Sequence, residues 1–252
     1  MLYDLLPSSI YAVLIIFARL GGAMMLLPGF GESYVSPRVR LGLSILICIV
    51  IAPALVSKIP PMSESVADLG LLIFGEVVIG IFMGTIARLF LSATASAGMI
   101  AANLSSLANA LIQDPTAEQQ ASIMGTFMSS VALVLIFVLD IHHLFLHALV
   151  DSYELFVPGQ SLPTGDFSNM ISRVVADTFT LAARMAAPFI VVGVIFFLGL
   201  GLLAKLMPQM QVFFIAMPLQ VLMGIVVLFL SLPVMIRVFL ISLNEHWIIF
   251  VR

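Results

Sequence analysis

Charge is scarce in this chain. Asp, Glu, Lys and Arg make up 9% of its 252 residues, while 62% are apolar. A soluble domain carries roughly 25% charged residues. The deficit excludes an ordinary water-soluble fold. With a mean hydropathy of +1.22, it defines a polytopic membrane protein. Positive charge is scarcer still, with ten Lys and Arg against thirteen acids and a net charge of −3. No basic stripe exists to neutralise phosphates, which excludes nucleic acid as a partner.

Cysteine is almost absent. Cys48 stands alone inside an apolar run. That excludes an intramolecular disulfide and a thiolate metal centre, and leaves a buried structural thiol. The start, "MLYDLLPSS", holds Asp4 and no Lys or Arg. A cleaved signal begins with a basic region, so the first apolar stretch is expected to remain as a helix. The chain also lacks a phosphate-cradling glycine loop, a nucleophile elbow and a paired-carboxylate site. The expectation is a protein that is no enzyme and holds no cofactor or metal.

Seven apolar segments are present. The first runs over about 10–27 and the second over about 39–56, with Pro53 inside it. The third covers 69–91. The fourth, "SATASAGMIAANLSSLANALIQ" at 92–113, is built of small and weakly polar residues. It either packs closely against protein, as small residues allow, or lines an aqueous path. The polar loop "DPTAEQQ" follows, its Asp-Pro marking a turn. The fifth segment covers 122–140. Residues 140–170 read as a long acidic loop with Asp140, Asp151, Glu154 and Asp166 and no Lys or Arg. The sixth segment covers about 169–207 and the seventh runs from Phe213 towards Phe250. Pro188, Pro218 and Pro233 are expected to kink them. Some segments are short for a bilayer and others too long, which suits a protein packed largely against other protein.

Four groups of residues invite a function. Arg19, Glu76 and Arg88 lie inside apolar segments, where each charge needs a partner or water. Arg19 and Glu76 fall near mid-segment and can pair. Glu76 and Arg88 are 12 positions, roughly 18 Å, apart on one helix and cannot. Structural pairing and an ion pathway are both open to them. Arg173, Asp177 and Arg184 share one helical face, either solvated or meeting a neighbouring subunit. Gly80 and Gly84 form a small-xxx-small packing pattern. "DIHHLFLH" places His143 and His147 four apart, near Asp140 and His142. Membrane metalloenzymes use several such clusters, and one is too few to assign a metal.

The C-terminal "LGLGLLAKLMPQMQVFFIAMPLQVLMG", 198–224, resembles the signature of the FliR family of export-gate subunits. Its most specific part is "PQM-V-F" followed by "MPLQ" and a glycine. "FARLGGAMMLLPGFGESYVSPRVRLGLS", 17–44, is similar to the family's N-terminal region, and "GEVVIGIFMG" and "ARMAAPFIVV" fall in their expected places. Gln211 stands where the family often has Asn.

The resemblance implies an all-α membrane protein of helical hairpins, packed in a helical hetero-oligomeric export gate. A FliP-like part, residues 1–190, precedes a FliQ-like hairpin, 191–252. It further implies a conduit for unfolded flagellar subunits at the bacterial inner membrane, in the flagellar basal body. FliP, FliQ, FlhB and FlhA are the implied partners. By position, a pore plug would lie at about 107–120, with Leu107, Asn109, Leu111, Ile112, Gln113, Asp114, Pro115 and Gln120. Lys205, Pro208, Gln209 and Gln211 would form the hairpin tip. The competing reading is a stand-alone secondary transporter that couples through Arg19, Glu76 and Arg88. No convincing internal repeat supports it.

Overall fold

The computed structural model describes residues 2–62, 65–107, 123–160, 163–207, 212–247 and 250. Among them are seven α-helices: α1 (Leu2–Met24), α2 (Pro37–Leu55), α3 (Val66–Leu104), α4 (Ile123–Val138), α5 (Ile141–Leu155), α6 (Thr164–Leu206) and α7 (Val212–Trp247). Four spans are long and apolar enough to cross a membrane: Pro37–Lys58, Val66–Leu104, Thr164–Leu206 and Ala216–Trp247. The pair α4 and α5, bent by 73°, makes a fifth if taken as one broken span. The expected all-α membrane architecture holds.

Seven segments were expected and seven helices are described, but they are not the same seven. The third segment and residues 92–104 of the fourth belong to one helix, α3, of 39 residues. At 1.5 Å per residue it is about 58 Å long. Its Thr and Ser residues do not break it, because their hydroxyls bond back onto the preceding turn. Thr94 Oγ1 donates to the Leu91 carbonyl and Thr85 Oγ1 to that of Ile81, each at 2.7 Å. The expected acidic loop at 140–170 instead contains α5 and the start of α6. The polar residues of α5 hid a buried stripe of Phe145, Ala148, Leu149, Ser152 and Tyr153, at helical i, i+3, i+4, i+7, i+8 spacing. α6 and α7 run unbroken through Pro188, Pro218 and Pro233.

The chain divides into two compact units. The first comprises 1–89, 136–174 and 245–252. Its core is apolar, with Ile15, Ile16, Met24, Leu27, Met83, Ile86 and Phe145 fully buried. Phe82 stacks on Phe167 at 4.1 Å, and Phe156 meets both rings edge-on. Trp247, the only tryptophan, packs against Phe145 with ring centroids 4.8 Å apart. Cys48 is the buried free thiol expected of it, its Sγ 3.4 Å from the Val13 carbonyl.

The turn between α1 and α2 belongs to this unit. Gly29 has φ +84°, and a Cβ there would strike the Phe137 ring. Only glycine suits both demands. Arg40 then ties the turn down. Its Nε donates to the Phe30 carbonyl and its Nη2 to that of Glu32, both at 2.9 Å. Ser36 caps α2 and Pro37 occupies its first turn.

The second unit comprises 90–135 and 175–244. It contains the small-residue half of α3 and most of α4, α6 and α7. Here α3 and α4 approach closely enough that a Cβ on Gly98 would lie 2.6 Å from the Gly125 Cα. Thr94 Oγ1 also reaches Ser129 Oγ at 3.2 Å.

Candidate functional site

Arg19 is buried at 1% exposure, in the middle of the apolar α1. A guanidinium so placed must have its donors met. Nε donates to Glu76 Oε2 at 2.7 Å and Nη2 to Glu76 Oε1 at 3.0 Å, a two-pronged pair between α1 and α3. Nη2 also donates to the Phe156 carbonyl at 2.8 Å, and Nη1 to Ser152 Oγ at 3.0 Å. Ser152 passes its own proton to the Leu149 carbonyl at 2.7 Å. The guanidinium carbon lies 3.8 Å from the centroid of the Tyr153 ring. One cation thus fastens α1, α3 and α5.

Glycine makes the pair possible. A Cβ on Gly80 would collide with the Arg19 carbonyl, and one on Gly84 would lie 2.8 Å from the Ala23 carbonyl. The small-xxx-small pattern on α3 is therefore the seat of α1. Arg88 is not brought to this cluster. It is exposed on α3, with no ion-pair partner among the described residues.

The second locus is where α3 ends. Most of the expected plug, Asn109, Leu111, Ile112, Gln113, Asp114, Pro115 and Gln120, lies outside the described residues. Leu107, half-buried, closes the turn that leads into it. The last carbonyls of a helix lack partners within it. Gln220 supplies one, its Nε2 donating to the Leu104 carbonyl at 2.7 Å. Gln220 is itself buried, at 4% exposure. One turn further along α7, Gly224 lies so close that a Cβ would strike the Ser105 side chain. On α6, a Cβ at Gly193 would lie 3.2 Å from Leu104 Cδ2. Ser106 then leaves the helix at φ +56°.

This gives the signature residues a physical task. The glutamine of "MPLQ" and the glycine after it hold the C-terminal end of α3. Sequence reasoning quoted both without that role, because the partner carbonyl lies 116 positions away. It likewise missed Ser152, Tyr153 and Arg40. Only the buried stripe of α5 signalled the first two.

The remaining candidates are placed singly. Arg173, Asp177 and Arg184 are all exposed along α6. Lys205 is exposed in the last turn of α6, where a cation suits the helix dipole. Pro208, Gln209 and Gln211 lie outside the described residues. Asp140, His142 and His143 come together at the junction of α4 and α5, and His147 is not in the group.

Long apolar helices, a buried bidentate ion pair and a clamped helix end define a polytopic membrane protein built for fixed internal packing. Its family is equally clear. The model of bacterial export proteins, family 1, matches residues 10–246, and the chain belongs to that family. It is 34% identical over 224 residues to the flagellar biosynthetic protein FliR of Caulobacter vibrioides, covering 89% of each chain. It is 28% identical to FliR of Bacillus subtilis, covering 92% of this chain and 88% of that one. It is 26% identical to the Yop proteins translocation protein T of Yersinia pestis, covering 87% and 85%. The resemblance expected from the signature holds. The family is one of export components and not of enzymes. Family and helices together put the chain in the bacterial inner membrane, at the flagellar basal body.

Proposed function

We propose that this chain is a structural conduit subunit of the flagellar type III export gate. With FliP- and FliQ-like proteins it forms the channel by which unfolded flagellar subunits cross the inner membrane. FlhB and FlhA are its further partners. Residues 1–190 act as the FliP-like part and 191–252 as the FliQ-like hairpin, with Lys205, Pro208, Gln209 and Gln211 at its tip. The exposed Arg173, Asp177 and Arg184 are offered to a neighbouring subunit.

The clamp on α3 carries the reading. A plug must yield without dragging its supports along. The segment after Leu107 leaves from a helix end bonded by Gln220 and re-enters α4, which is seated on α3 at Gly98 and Gly125. Firm stems around a separate polar segment suit a plug. The transporter reading has no comparable support, since Arg19 and Glu76 satisfy one another and Arg88 stands apart.

Deletion of 107–120 in the co-expressed assembly is the test. Ion conductance across the membrane should rise while the particle still forms. Unchanged conductance in an intact particle would sink the plug assignment. Native mass spectrometry of the particle tests the rest. One copy of this chain with several copies each of two small membrane proteins is expected, and a lone chain would overturn the gate reading.

A further inference from the structure

We propose that the junction of α4 and α5 is a divalent transition-metal site, formed by Asp140, His142 and His143 and suited to zinc. Each of the three residues offers one ligand atom, and these atoms lie within 4.8 Å of one another. Two imidazoles and a carboxylate are a donor set that zinc accepts, with a fourth position left to water.

Three features of the junction favour a ligand. Asp140 is one of two non-glycine residues at positive φ among those described, at φ +57° and ψ 19°. That backbone conformation is disfavoured for a side-chain-bearing residue and tends to mark sites where geometry serves a purpose. It also sets the carboxylate beside the first turn of α5, with Oδ1 3.8 Å from His143 Nδ1. The His142 ring is then held between two others. It stacks on Phe137 at 5.0 Å and lies 4.1 Å from the His143 ring. Finally, His142 Nδ1 is buried and has no hydrogen-bond partner among the described residues. A buried polar atom left without a partner is unfavourable by about 1–3 kcal/mol, a penalty that coordination through Nδ1 would remove.

The helix start opposes a cation, because its dipole is positive there. The Asp140 carboxylate offsets this. Tetrahedral zinc with bonds of about 2.0–2.1 Å wants its donors roughly 3.3 Å apart. The side chains must therefore close in by up to about 1.5 Å. Asp140 and His143 are free to do so, with their side chains 75% and 60% exposed. Bound metal would tie the bend to the first turn of α5 and stiffen the 73° joint between α4 and α5.

The full chain, purified in detergent through a tag without histidine, should bind one zinc per chain in competition with a chromogenic chelator. Asp140→Asn, His142→Gln and His143→Gln should each weaken binding roughly tenfold or more. His147→Gln should leave it unchanged. Asn tolerates the left-handed backbone, so Asp140→Asn keeps the turn. Cobalt added to the unaltered chain provides a readout independent of any variant. Visible absorption bands of tetrahedral coordination are expected. No stoichiometric zinc, no cobalt bands, or zinc held equally well by the Asp140→Asn, His143→Gln double variant would each overturn the site.

Discussion

The Gln220 side chain donates to the Leu104 carbonyl at 2.7 Å, joining the interior of α7 to the end of α3. Gln220 is buried and Leu104 half-buried, and the bond meets a carbonyl that the helix itself cannot satisfy. Gln220→Leu would fill similar space but leave that carbonyl bare. An abandoned buried acceptor is unfavourable by about 1–3 kcal/mol. The variant should melt earlier in detergent and raise ion leakage through the assembled particle. Gln220→Glu should be worse, since it sets an acceptor against an acceptor. Normal melting and normal leakage in both would show that the clamp is dispensable.

The Arg19–Glu76 pair makes a second prediction. Breaking a buried pair from one side strands a charge, typically at about 3–5 kcal/mol. Arg19→Met and Glu76→Leu should each lower the yield of folded chain severely. Arg19→Met combined with Glu76→Leu should recover part of the loss, because nothing charged is then left behind. A double-mutant cycle in which the two losses simply add would mean the pair is not a unit.

Glycines divide into two kinds, and substitution should sort them. Gly98→Ala places a methyl 2.6 Å from the Gly125 Cα, where backbone must move. It should separate α3 from α4 and lower stability, and Gly98→Leu should do so more strongly. By contrast, a Cβ on Gly75 meets nothing within 4 Å. Gly75→Ala should be neutral or stabilise the isolated chain by up to about 1 kcal/mol. Equal melting temperatures for Gly98→Ala and Gly75→Ala would refute the distinction.

Trp247 offers a direct readout. As the only tryptophan, fully buried against Phe145, it should emit at short wavelength in the folded chain and shift red when the first unit opens. Trp247→Ala should destabilise the protein by about 3–5 kcal/mol, as large aromatic truncations do. A water-like emission spectrum from the intact chain would contradict this burial.

The legible parts of the sequence were those written in local chemistry. Apolar runs announced the membrane helices, and unpaired charges in them announced Arg19 with Glu76. Glycines four apart announced close helix packing. What was hidden depended on distant partners or on a weak pattern. α5 carries three histidines, two acids and two hydroxyl residues, so its buried stripe lay beneath a polar surface that read as loop. The join of the third and fourth segments was masked by Ser, Thr and Gly, which lower helix propensity until packing and back-bonding compensate. The task of Gln220 was invisible because a glutamine in a helix looks the same whether or not a carbonyl waits opposite it.

The first compact unit is assembled from three stretches of chain and the second from two, and α3, α4, α6 and α7 each contribute residues to both. A single scission anywhere in the chain therefore divides the first unit, whereas the second can stay whole on one fragment. Stepwise truncation from either end should therefore reach the first unit before the second, and the first unit's core closes only once Trp247 has been made and set against Phe145.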